Sequence, residues 1–124
     1  MIVGVCRLVL SLPGVDSLKG KRSIVRRIVD RVRHRFNAAM AEVDAMDSHR
    51  RAVLGFAVVS NDGRHANAMI DEVVSFVAAA SEAVLVDRTT ELVHMDGSMG
   101  MLGNEGWQGQ ALRDPDHGED DDGE

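Results

Sequence analysis

Eight cations and a single acid, Asp30, lie between Lys19 and Arg35. Guanidinium forks grip phosphate oxygens in bidentate fashion, and each phosphate neutralised makes binding more salt-dependent. A helix stabilised by i,i+4 ion pairs would mix acids among its bases, and this one does not. The spacing therefore predicts a polyanion-binding surface, with Lys19, Lys21, Arg22, Arg26, Arg27 and Arg33 as the candidate contacts.

No other constellation offers chemistry. His34, His49, His65, His94 and His117 are scattered without a metal-ligand spacing, so no metal site is expected. Ser60-Asn61-Asp62 has polar side chains beside a predicted helix start, where capping explains them. The chain has no G-x-S-x-G, no P-loop and no G-x-G-x-x-G after a strand. The expectation is a non-enzymatic protein with no catalytic residues and no cofactor.

The cations need an element to carry them. Leu18, Val25, Ile28, Val29, Val32 and Phe36 fall within roughly 100° of one another at the helical period, which predicts an amphipathic helix. Ser17 is placed to cap it, Gly20 weakens its start so that the first regular turn is expected nearer Lys21, and Asn37 ends it. Lys19, Arg22, Arg26 and Arg33 share one flank; Arg27, Arg31 and Arg35 line the other.

Before this helix, residues 2–12 alternate as a strand, with Ile2, Cys6, Leu8, Leu10 and Leu12 on one face and Val3, Val5, Arg7 and Val9 on the other. Strands are also predicted at 38–46, 52–59 and 84–93, and a second helix at 64–80. The order βαββαβ predicts an α+β, ferredoxin-like sandwich: a four-stranded antiparallel sheet with two helices on one face. The other face is apolar at its centre. A homodimer packed through Val3, Val5, Arg7, Val9, Val53, Ala57 and Val59 is expected to cover it.

The net charge of −6 conceals a segregation. Nine basic residues against two acids occupy the chain through Arg35, whereas nine acids face Arg113 alone from Asp96 onward. Two regions follow: a domain at 1–95 and a Gly- and Asp-rich acidic tail at 96–124, whose composition predicts disorder. The tail is expected to be a solubilising appendage or a phosphate mimic for the basic helix. The lone Cys6 and the want of a signal-like or membrane-length apolar run predict a cytoplasmic protein with no membrane span.

Met1-Ile2-Val3-Gly4-Val5, Leu12-Pro13-Gly14, Ser17-Leu18-Lys19-Gly20-Lys21-Arg22, Arg35-Phe36-Asn37, Ala41-Glu42-Val43 and Val58-Val59-Ser60-Asn61-Asp62 together resemble the YlxP-like family of small bacterial proteins, a domain of unknown function. The resemblance covers residues 1–95 and implies a ferredoxin-like fold. Genes of that family often neighbour those for translation initiation and ribosome-binding factors, which implies a role near ribosome maturation or translation. The family supplies no catalytic residues, and the acidic tail departs from its usual pattern.

RNA-recognition motifs share this topology but stack bases on strand aromatics. The first strand has none and the third only Phe56, so the sheet is not expected to read bases. The function expected is an RNA- or ribosome-associated factor that contacts phosphates of structured RNA through the basic helix. The alternative is a dimeric regulatory module that binds a protein partner or a small anion.

Overall fold

Alternation of apolar residues sets the strands, and helical spacing of valines and isoleucines sets the two helices. The computed structural model describes residues 1–80 and 82–95. It contains β1 (Ile2–Ser11), α1 (Leu18–Arg35), β2 (Ala39–Asp44), β3 (Arg51–Ser60), α2 (Gly63–Ala78) and β4 (Val84–His94). The strands form one antiparallel sheet in the order β2-β3-β1-β4, with both helices packed on one side. This is the ferredoxin-like βαββαβ arrangement. The expected tail at 96–124 lies outside the described residues.

Register assigns the faces. Cys6 faces Phe56, Leu8 faces Leu54 and Leu10 faces Ala52, and these pairs enter a core with Val25, Ile28 and Val32 of α1 and Ile70, Val73 and Val77 of α2. The intervening pairs, Val3 with Val59, Val5 with Ala57 and Arg7 with Gly55, belong to the face away from the helices. Phe56 is thus buried against the helices, and no aromatic of the described strands stands on the open face.

Local chemistry sets both helix starts. Ser17 Oγ accepts from Gly20 N at 3.0 Å, and Asp62 Oδ1 accepts from Arg64 N at 3.1 Å. The first helix therefore begins at Leu18, a turn earlier than Gly20 suggested. That glycine also leaves room for the cap, since a Cβ there would stand 3.2 Å from Ser17 Oγ.

Gly4 on β1 is required for close approach rather than for backbone freedom. A Cβ at this position would lie 2.6 Å from Ile70 Cδ1, 3.2 Å from Val58 Cγ2 and 3.3 Å from Leu92 Cδ2. Ile70 is fully buried, so its methyl cannot swing into solvent. Gly4→Val should destabilise the domain by about 2 kcal/mol through overpacking. The expected result is a lower urea midpoint at constant slope, and an unchanged midpoint would contradict this packing.

Candidate nucleic-acid interface

The cations of α1 divide by what each already does within the protein. Lys21 is the clearest departure from expectation: its side chain is 1% exposed. Its Nζ donates to Ala45 O and to Ser48 O, both at 2.6 Å, and lies 2.8 Å from Glu42 Oε2. The carboxylate contact is an ion pair without hydrogen-bond alignment, because Oε2 is buried and lacks an aligned donor. Lys21 thus has no surface to offer a phosphate, which corrects its place among the predicted contacts. Its role is to tie α1 to β2 and to the turn after it.

A signal for this was present in the sequence. Lys21 precedes Val25 by four residues, Ile28 by seven and Val32 by eleven, so it stands inside the apolar stripe. A buried ammonium needs several polar partners, and the turn supplies them. Ala45, one of those partners, is the non-glycine residue with positive φ among the described residues, at 59°. Its N–H donates to Asp44 Oδ1 at 2.7 Å while its carbonyl accepts from Lys21, so both sides of a left-handed residue are pinned.

Other cations have structural partners too. Arg27 Nη1 lies 2.7 Å from Glu82 Oε2, with both side chains partly exposed, a pair worth at most about 1 kcal/mol. Arg33 Nη2 donates to Met40 O at 3.0 Å, occupying a carbonyl of edge strand β2. Arg35 holds its guanidinium carbon 5.6 Å from the Phe36 ring centroid and 5.3 Å from that of Phe76, within cation–π range of both. Arg33, His34 and Arg35 also occupy the last turn, where positive charge complements the helix dipole.

Lys19, Arg22, Arg26 and Arg31 remain exposed with no partner among the described residues. Lys19, Arg22 and Arg26 recur at i, i+3 and i+7, a row along one flank roughly 10 Å long at the helical rise. The first turn carries no acid, so Lys19 opposes the dipole uncompensated. Arg22 and Arg26 repel as an i,i+4 pair. Asp30, four residues after Arg26, is the acid on α1 that offsets part of these costs, and it forms no ion pair with the row among the described residues. Arg22 and Arg26 line a groove between α1 and β2 together with Val25, Val29, Arg33 and Ala41 and the carboxylates Asp30 and Glu42.

The sheet face opposite the helices is the other predicted surface. Val3, Val5 and Ala57 are half-buried there, and Val59 is 57% exposed. Val43 lies against Gly55, and Val93 pairs with Val3; neither was predicted, and both add exposed apolar area. Arg7 lies 3.9 Å from Asp44 Oδ2. Val9 and Val53, predicted for the same surface, are buried within the chain itself and have no area left for a partner.

Comparisons with known proteins agree with the sequence resemblance. Residues 3–90 match the model of a family described as "Protein of unknown function (DUF503)". The chain belongs to that family. A protein of Bacillus subtilis (strain 168) named "Uncharacterized protein YlxP" is 32% identical over 73 residues, covering 59% of this chain and 76% of that protein. The family match includes all of α1 and the turn that receives Lys21. Neither description names an activity. No helix of the described residues is long and apolar enough to cross a membrane, and among those residues no three His, Cys, Asp or Glu side chains gather as a metal site.

Truncating Lys21 tests the division of roles. Lys21→Met would leave two carbonyls and the buried Glu42 oxygen without their cation, and should cost about 3 kcal/mol in chemical denaturation. Arg22→Gln, on the exposed flank, should change stability by less than about 0.5 kcal/mol. Equal effects of the two substitutions would contradict the division.

Proposed function

We propose that this DUF503 member is a non-enzymatic, cytoplasmic RNA-associated factor that contacts phosphates of structured RNA, such as a ribosomal particle, through the exposed flank of α1. The observation that carries this reading is the row Lys19, Arg22 and Arg26, whose charges have no structural partner among the described residues and work against the helix that bears them. Placement of Phe56 under the helices speaks against base reading on the sheet. Phosphate contact gives affinity with little sequence preference. The genomic association implied by the family resemblance is compatible with a ribosomal target.

Replacing Lys19, Arg22 and Arg26 together with Gln should weaken binding to a structured ribosomal RNA fragment at low salt. The slope of log K against log salt should fall by about two units, in line with loss of two to three phosphate contacts. A variant with wild-type affinity and slope would overturn the assignment. Salt-insensitive association with one particular protein or small anion would favour the regulatory-module alternative instead.

The open sheet face supports a second element of the reading, a homodimer closed through Val3, Val5, Ala57 and Val59, with Val43 and Val93 at its margins. Arg7 and Asp44 give this face both charge signs, so a two-fold contact would not set like charges alone against each other. Sedimentation of the full chain at micromolar concentration should report a dimer, and Val59→Asp should convert it to a monomer with unchanged circular dichroism. A monomeric wild-type chain would overturn the dimer.

A further inference from the structure

The chain has three phenylalanines, and only Phe56 is fully committed to the core. Phe36, just after α1, and Phe76, in the last turns of α2, are half-buried at the seam between the helices. Their centroids are 5.4 Å apart at an interplanar angle of 74°, an edge-to-face pair. Arg35 lies within cation–π distance of both rings, while the side chain itself remains exposed. The result is a partly open π-surface with a planar cation against it.

Two hollows flank this cluster. One is lined by Arg35, Phe36, Phe76 and, from α2, by Asp71, Glu72 and Ser75. The other is lined by Asp30, Arg31, His34, Arg35 and Phe76. Asp30 also lines the hollow that holds Lys19, Arg22 and Arg26, so the crest of α1 at Asp30 lies between the row on one flank and the aromatic seam on the other, and an RNA laid over that crest meets both. Carboxylates here would repel a phosphate. They are suited to accept hydrogen bonds from exocyclic amino groups, and Glu72 has no ion-pair partner among the described residues.

We infer that the seam formed by Arg35, Phe36 and Phe76 is a stacking site for one unpaired, amino-bearing nucleobase of the RNA whose phosphates lie along Lys19, Arg22 and Arg26. The inference rests on the phosphate-binding reading and adds a base contact to it. Unstacked bases bind on aromatic rings and on guanidinium planes, and both are present here at one place. A duplex with a bulged adenosine is therefore preferred over the same duplex fully paired.

The test uses the full chain and three hairpin RNAs of equal length and charge, carrying a bulged adenosine, a bulged uridine or an abasic residue at one site, with a fully paired hairpin as reference. Wild-type protein should bind the adenosine bulge at least about fivefold more tightly than the abasic one, with uridine between them. Arg35→Lys keeps the charge and removes the plane; Phe76→Leu keeps apolar volume and removes the ring. Each should abolish the adenosine preference while affinity for the paired hairpin and its salt slope stay unchanged.

Equal binding of adenosine and abasic bulges by the wild type would overturn the base site while leaving phosphate contact intact. A preference that survives both substitutions would overturn it equally. Failure of the wild type to bind even the paired hairpin at low salt would overturn the phosphate reading and the base site together. Arg35 is exposed, so its substitution reads the site without loss of fold.

Discussion

A buried ammonium is costly unless several polar groups surround it, and Lys21 meets that requirement in a way that orders its neighbourhood. Two carbonyls of the turn after β2 and a carboxylate of β2 converge on Nζ. Because these partners come from a segment 21 to 27 residues away in sequence, the contact sets how α1 is rotated about its own axis against the sheet. With Lys21 turned inward, Lys19, Arg22 and Arg26 are turned outward. The same contact holds Ala45 in its left-handed conformation and so shapes the corner between two strands. A helix that looks uniformly basic in sequence is therefore built around one cation that never meets solvent.

Sorting charges by occupation gives the rest of the surface its meaning. Arg27 pairs across to Glu82, Arg33 occupies an edge-strand carbonyl, and Arg35 lies on two rings. Those near the end of the helix also answer the dipole. Lys19, Arg22 and Arg26, in its first half, do neither. Exposed ion pairs contribute too little to explain such a density of bases, and the repulsion among unpaired ones has the opposite sign. In the proposed reading a polyanion would turn this cost into binding energy, its phosphates meeting the helix where the internal demand on its side chains is least.

Period and capping made most of the fold legible. The alternation in β1 and β3, the stripe of α1 and the caps at Ser17 and Asp62 all follow from local chemistry, and the order of elements then leaves few ways to cover one sheet face. Local reasoning failed where a residue's role depended on a distant strand. Lys21 sits in the apolar stripe by spacing, yet its partners Glu42, Ala45 and Ser48 come together only through the sheet. Val9 and Val53 alternate onto the open face but are buried within the chain. Phe36 read as the end of a core stripe, and its pairing with Phe76 depends on how the two helices pack.

The central claim is that the outward flank of α1 lies on RNA in the cell. Ultraviolet crosslinking in growing cells, followed by sequencing of the attached RNA and mass spectrometry of the attached peptide, tests it most directly. The account predicts structured ribosomal RNA joined to peptides from the Lys19 to Arg26 segment. Recovery of no RNA, or of RNA joined only through peptides remote from α1, would contradict it.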